Sequence, residues 1–188
     1  MKTRDMVLVA LFAALTAIGA FIQIPTPIVP FTLQFLFCAF AGVFLGARLG
    51  LYSQLLYVGI GLMGVPVFTK GGGPSYVLQP TFGYLIGFIL CAYIIGKATE
   101  NLKEVKFMNV FAPVVAGLLA VYAVGVPYLY FILNNYMGKP FPFMQAVKVG
   151  FLVYIVQDLV LSALIAVVAT KVVPSLRRSG YIRIPQNQ

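Results

Sequence analysis

Long apolar stretches, separated by short polar or proline-rich breaks, run through the whole sequence. A helix needs about 20 mainly apolar residues to cross the hydrocarbon core of a bilayer. The pattern therefore predicts six transmembrane helices, near residues 5–23, 33–50, 51–66, 80–98, 109–134 and 146–172. The third is short and rich in glycine, so it is expected to be tilted, bent or partly re-entrant, and four spans remain an alternative. The chain is predicted to be an all-α integral membrane protein with a single domain over residues 1–188.

Composition agrees with a membrane protein and narrows the possible chemistry. Hydrophobic residues make up 61% of the chain and charged residues 9%, whereas soluble domains carry about 25% charged residues. The chain has no histidine, and Cys38 and Cys91 alone make no metal motif. The glycines at 71–73 are followed by Pro-Ser, which is not a phosphate-binding loop. We therefore expect no enzyme, no metal and no cofactor.

The net charge of +9 is distributed like a topology signal, not like a nucleic-acid surface. If the six spans cross, ten basic residues fall on one side: Lys2, Arg4, Arg48, Lys97, Lys103, Lys106, Lys171, Arg177, Arg178 and Arg183. The other side, with loops rich in Pro and Gly, has Lys70, Lys139 and Lys148. Because basic residues stay cytoplasmic, both the N and C termini are predicted to be cytoplasmic. The expected surroundings are membrane lipid, and no nucleic-acid partner is expected.

One acidic residue, Asp158, lies well inside an apolar run, whereas the other three acidic residues fall at predicted cytoplasmic edges. An ionised side chain at membrane depth is costly and usually marks a functional site. The alternative is a protonated or lysine-paired carboxyl group that only joins helices together. Asp158 is the first candidate for binding a polar ligand.

Further polar candidates lie near the predicted outer ends of the spans. Gln34, Gln79 and Tyr84 could hydrogen-bond to a ligand, although capping or interhelical hydrogen bonds explain the two glutamines equally well. Lys70 and Lys148 could pair with an anionic group. The alternatives are a solvated loop charge for Lys70 and snorkelling to the interface for Lys148.

Aromatic residues concentrate near the same predicted face. Phe31, Phe68 and Phe143 could enclose a ligand ring, although an interfacial belt or core packing is the alternative. Backbone N–H groups of the glycine loop around Gly72 could bind a carboxylate.

The first predicted span carries small residues one turn apart, Ala10 and Ala14. This spacing lets another helix approach closely. Either internal packing or the docking of a partner subunit would use such a surface.

Several segments together resemble the BioY family. Residues 27–34 are similar to its P-x-P-F-T-x-Q stretch. Residues 64–68, the glycines at 71–72 and residues 80–88 resemble its G-x-P-V-F, G-G and P-T-G-G-Y-L-x-G-F elements. The resemblance extends over nearly the whole chain.

Two places depart from the family pattern. Gln79 and Phe82 stand where the family usually has glycine. Residues 143–148 keep only Lys148 of its P-G-D-x-x-K stretch. The choice of Gln79 and Asp158 as ligand-binding residues therefore rests on their chemistry.

The resemblance implies the biotin-specific S component of an energy-coupling factor (ECF) vitamin transporter in a prokaryotic plasma membrane. Such a subunit has six membrane helices and binds biotin with high affinity in a pocket closed by outer loops. It docks onto a transmembrane T subunit driven by two ATPase subunits. In related S components an A-x-x-x-A motif on the first helix makes that contact, and Ala10 and Ala14 match it here.

Three alternatives remain open. The chain could be an S component for another vitamin, such as thiamin or riboflavin. It could be a self-sufficient proton-coupled carrier that uses Asp158. A membrane enzyme acting on lipids is disfavoured by the absence of histidine and of a second buried carboxylate.

Overall fold

The structure is a computed structural model that describes residues 2–26, 28–138 and 140–179. Pro27, Lys139 and Arg183, which entered the sequence motif and the charge count, lie outside the described residues. The described helices are α1 (Thr3–Phe21), α2 (Gln34–Leu62), α3 (Phe82–Thr99), α4 (Phe107–Phe131), α5 (Phe143–Val147) and α6 (Ile155–Arg178). The connections include strands β1 (Gln23–Ile24) and β2 (Phe31–Thr32), a 3₁₀ turn (Pro74–Leu78) and π turns at Ile132–Tyr136 and Lys148–Leu152.

Helix α2 is folded back on itself at Gly46. The φ angle of Gly46 is 79°, which lies in the region that glycine tolerates best. The side chains of Gln34 and Tyr57 are hydrogen-bonded at 2.8 Å, although a straight helix would separate these residues by about 35 Å. The two arms, 34–45 and 47–62, therefore run side by side in opposite directions. The reversal lies near the predicted boundary between the spans 33–50 and 51–66.

Five helical segments in the described part of the chain are long and apolar enough to cross a membrane. They are Thr3–Phe21, Gln34–Leu62, Phe82–Thr99, Phe107–Tyr136 and Phe143–Arg178. The predicted integral membrane architecture is consistent with these segments. The count of six crossings and the sides of the two termini stay predictions.

Helices α2, α3 and α4 pack tightly at one end, which we name the closed end. It contains Cys38, Ala39, Cys91, Ala92 and Ile95, all 0% exposed. Gly96 makes the approach possible there, because a Cβ atom on it would lie 2.4 Å from the backbone N of Ala47. Small side chains thus bring the helix backbones into contact, as is usual between membrane helices.

The other ends of the same helices border a cavity, and we name this region the cavity end. Strands β1 and β2 pair antiparallel, with Gln23 opposite Thr32 and Ile24 opposite Phe31. This short ribbon joins the two sides of the loop between α1 and α2. A second segment at the cavity end, the 3₁₀ turn, is attached to α4 by a hydrogen bond from the Tyr128 hydroxyl to the Val77 carbonyl.

Candidate functional site

A cavity of about 660 Å³, including its opening, lies at the cavity end between α2, α3, α4 and α6. The apolar lining residues are Val29, Pro30, Phe31, Phe35, Leu85, Phe88, Leu118 and Val121. The polar ones are Thr32, Gln34, Thr69, Tyr76, Thr81, Tyr84, Tyr122, Tyr154 and Asp158, together with the backbone of Gly150. The described lining thus has one carboxylate and neither lysine nor arginine.

Asp158 lies in the first turn of α6 and is 8% exposed. Its Oδ2 atom accepts a hydrogen bond from the hydroxyl of Tyr122 on α4. The ring of Tyr122 is itself fixed by an edge-to-face contact with Phe151, with 4.8 Å between ring centroids. No hydrogen bond from the described residues reaches Oδ1. The carboxylate is therefore anchored through one oxygen and has the other available to a ligand.

Two further tyrosines of the lining bond to backbone carbonyls. The Tyr84 hydroxyl on α3 donates to the Gly150 carbonyl at 2.9 Å. The Tyr154 hydroxyl, four residues before Asp158, donates to the Val29 carbonyl in the loop between β1 and β2. Tyr154 therefore links the start of α6 to the loop that forms part of the cavity wall.

Gln34 is part of the wall at the start of α2, and its side-chain amide is already held by the protein. Its Oε1 accepts from the Thr32 hydroxyl at 3.0 Å, and its Nε2 donates to Tyr57. Tyr57 in turn donates to the Val67 carbonyl at 3.1 Å. These hydrogen bonds connect the cavity wall to the segment that follows α2, at Val67.

Comparison with known proteins decides the family. The model of the BioY family matches residues 1–178. The chain belongs to the BioY family. It is 47% identical to the probable biotin transporter BioY of Lysinibacillus sphaericus, with 98% of this chain and 94% of that protein covered. It is 38% identical to the biotin transporter BioY of Thermotoga maritima, with 89% and 95% covered.

A solved structure of the same kind supports the fold. The crystal structure of the S-component for biotin from an ECF-type ABC transporter matches this chain with a TM-score of 0.83 and 26% sequence identity. The match covers 97% of each chain. The sequence-based resemblance to BioY is thereby confirmed, and so is the expectation of a multi-pass membrane transport protein instead of an enzyme.

Four of the residues that the sequence singled out surround this BioY cavity. Asp158, Gln34, Tyr84 and Phe31 all belong to the lining. They come from α2, α3, α6 and strand β2, so only the tertiary fold brings them together. Their contact with a ligand stays a prediction.

The other candidates lie outside the described lining. Lys70 and Lys148 are exposed, and Phe143 is 52% exposed with its ring against Tyr130. Lys70 directly follows the lining residue Thr69 in the chain.

Three more candidates have structural contacts in the segment between α2 and α3. Phe68 is 1% exposed, and its ring lies 4.4 Å from that of Tyr76. The backbone of Gln79 takes part in the turn before α3. Gly72 lies under the carbonyl of Val65, where a Cβ atom would approach within 2.2 Å of the oxygen. Their roles in ligand binding also stay predictions.

Sequence reasoning missed Tyr122 and Tyr154. Tyr154 could have been found, because residues four apart share one face of a helix and Tyr154 precedes Asp158 by that spacing. Tyr122 carries no such signal, because it is one of 11 tyrosines and lies in a different helix.

Ala10 and Ala14 are exposed on α1, while Ala13 between them is buried against the rest of the chain. Internal packing therefore does not occupy the face that carries Ala10 and Ala14. This face is available to lipid or to a partner subunit.

Proposed function

We propose that this BioY chain is the high-affinity biotin-binding S component of an ECF-type vitamin transporter in a prokaryotic cell membrane. The observation that carries the proposal is the Asp158 carboxylate, which faces a cavity enclosed by apolar helices. A charge is rarely retained at such a position without a function. The two relatives are named as biotin transporters, and the solved structure is that of an S-component for biotin.

The chemistry of biotin fits this lining. The ureido ring has two N–H donors, and Asp158 Oδ1 is an acceptor that no described residue uses. A hydrogen bond to a buried charged group contributes about 1.5–3 kcal/mol. The thioether ring and alkyl chain suit the apolar walls formed by Phe31, Phe35 and Phe88. We propose no further cofactor.

The biotin carboxylate is expected to point towards the opening of the cavity. The described lining contains no basic side chain that would neutralise it inside. Lys70 follows Thr69 of the lining, and Lys148 lies two residues before Gly150. Either lysine, or the backbone of the glycine loop around Gly72, is a suitable partner for the carboxylate.

Six crossings with cytoplasmic termini agree best with the distribution of charge. The reversal at Gly46 divides α2 into two arms, and each arm counts as one crossing. The cavity then opens to the extracellular side, because its lining includes loops that contain few basic residues.

Release of biotin into the cell is expected to require the T subunit and two ATPase subunits. The exposed alanines on α1 support a docking surface, because small residues allow close helix contact. Replacing Ala10 and Ala14 by leucine should prevent assembly with the T subunit and leave biotin affinity unchanged. The matched control is Ala116→Leu, at an exposed alanine on α4. Normal assembly of the Ala10→Leu/Ala14→Leu variant would contradict this assignment.

The direct test of the function is a titration of the purified chain with biotin, thiamin and riboflavin. Mass spectrometry of the ligand that copurifies with the chain provides an independent reading. We expect one biotin per chain at nanomolar affinity, which corresponds to about −12 kcal/mol. Binding of a different vitamin would replace biotin in the proposal. Uptake driven by a pH gradient in vesicles that contain this chain alone would support a proton-coupled carrier instead.

A further inference from the structure

The tyrosines of the cavity differ from ordinary polar lining residues, because the protein already uses their hydroxyl protons. A phenol has a single O–H donor. The Tyr84 and Tyr154 hydroxyls donate to the carbonyl oxygens of Gly150 and Val29, which can only accept. The Tyr154 oxygen also lies 3.0 Å from the Thr26 hydroxyl, so its proton stays within the protein whichever partner it selects. Both phenol oxygens therefore offer lone pairs alone to a ligand.

Tyr122 completes the same surface. Its hydroxyl donates to Asp158, and its ring meets that of Tyr84 edge-on with 6.4 Å between centroids. We name the surface formed by Tyr84, Tyr122, Tyr154 and Asp158 the acceptor wall. Its four side chains come from three helices and the residue that precedes α6. All four residues line the cavity, and each side chain has an oxygen atom that can accept a hydrogen bond.

Donors are present elsewhere in the lining. Thr69, Tyr76 and Thr81 form a series of hydroxyls joined at 3.0 and 3.3 Å. The two hydrogen bonds between these hydroxyls use two of their three protons, so one proton remains for a ligand acceptor. The side-chain nitrogen of Gln34 has two hydrogens, and the recorded bond to Tyr57 uses one of them. The lining thus contains hydrogen-bond donors as well as acceptors.

We propose that the acceptor wall selects a ligand head group for its N–H donors and binds a cationic cyclic guanidine as well as a neutral cyclic urea. This inference rests on the proposed function and adds a rule of specificity to it. In a cyclic guanidine, a further nitrogen donor replaces the urea carbonyl oxygen. The wall has unused lone pairs for the N–H donors of the ring, and the Asp158 charge can balance the cation. The described lining contains no basic side chain that would repel it.

The test compares three ligands on the unmodified purified chain at pH 7. They are biotin, 2-iminobiotin and oxybiotin. The guanidine of 2-iminobiotin is protonated at this pH, as guanidinium groups generally are. Oxybiotin keeps the ureido ring and changes only the sulfur, so it controls for altered ring packing. We expect 2-iminobiotin to bind within about tenfold of biotin, because the guanidinium keeps the N–H donors of the ring and adds an ion pair with Asp158.

The Asp158→Asn variant provides a second measurement. It should weaken 2-iminobiotin more strongly than biotin, because only the former loses a charge pair. Two results would overturn the inference: 2-iminobiotin binding more than about tenfold weaker than biotin to the unmodified chain, or an equal loss for both ligands in the variant. Failure of biotin itself to bind the unmodified chain would instead remove the proposed function, and this inference with it.

Discussion

The closed end and the cavity end are built from the same three helices, α2, α3 and α4, with opposite choices of side chain. At the closed end, alanine, cysteine and glycine let the backbones touch, and the side chains there are fully buried. At the cavity end, tyrosine and phenylalanine side chains line an open space. The difference indicates that the two ends have different roles. The closed end holds the helices at fixed positions, and the cavity end presents polar atoms to a ligand.

Filling the closed end should cause the largest loss of stability. Gly96→Leu places a side chain where even a Cβ atom would lie 2.4 Å from the Ala47 backbone. We expect the free energy of unfolding to fall by about 3 kcal/mol, the upper range for an overpacked core. Thermal unfolding in detergent measures this. Gly59→Ala is the control, because no atom lies within 4 Å of its added Cβ. An unchanged melting temperature for Gly96→Leu would contradict the tight packing described.

Removing the charge at the cavity end should affect binding and leave the fold in place. Asp158→Asn keeps the shape of the side chain but replaces a charged acceptor, so biotin affinity should fall about tenfold to a hundredfold. Isothermal titration measures the loss. Asp5→Asn makes the same chemical change in the first turn of α1, outside the described lining, and should bind normally. Equal affinities for the two variants would exclude Asp158 from the site.

Removing the Tyr122 hydroxyl, which anchors Asp158, should lower biotin affinity less than removing the charge does. Tyr122→Phe removes the hydroxyl that bonds to Oδ2, which leaves the carboxylate free to rotate. We expect biotin affinity to fall about fivefold to tenfold, in line with one hydrogen bond. Tyr128→Phe on the same helix is the control, because its hydroxyl bonds to Val77 outside the described lining. In a double-mutant cycle Tyr122→Phe should add little to Asp158→Asn, and full additivity would show that the two side chains act separately.

The lysines near the opening should have the smallest effect. Lys70→Gln and Lys148→Gln each remove an exposed charge, and exposed ion pairs contribute about 0–1 kcal/mol. Biotin affinity should therefore fall by no more than about fivefold for either variant. The uncharged methyl ester of biotin should bind each variant as it binds the unmodified chain. A large loss for the ester would mean that these lysines support the fold and do not pair with the carboxylate.

The architecture was largely predictable from the sequence, because membrane helices are defined by long apolar runs. The predicted span at 109–134 corresponds to the helical segment Phe107–Tyr136. Asp158 could also be identified from the sequence, because burying a single carboxylate in an apolar membrane helix is energetically costly. The rest of the wall depends on helix rotation and on the paths of the loops. Tyr122 faces Asp158 only because α4 and α6 pack side by side, and the spacing of residues in the chain does not contain that information.

The orientations of side chains in the loops could not be predicted from the sequence either. Thr69 and Lys70 are neighbours in sequence, yet one belongs to the cavity lining and the other is exposed. Phe68 is buried against Tyr57 and Tyr76 and lies outside the described cavity lining. These orientations follow from the turn geometry after α2 and from contacts with distant helices, which a pattern of apolar and polar residues does not specify.

A structure of this chain with biotin bound tests the central claim most directly. The account predicts the ureido nitrogen atoms within hydrogen-bonding distance of Asp158 Oδ1, with the ring against the acceptor wall and the carboxylate directed towards the opening. A bound biotin whose ureido ring lies away from Asp158, or one held outside the cavity, would contradict it.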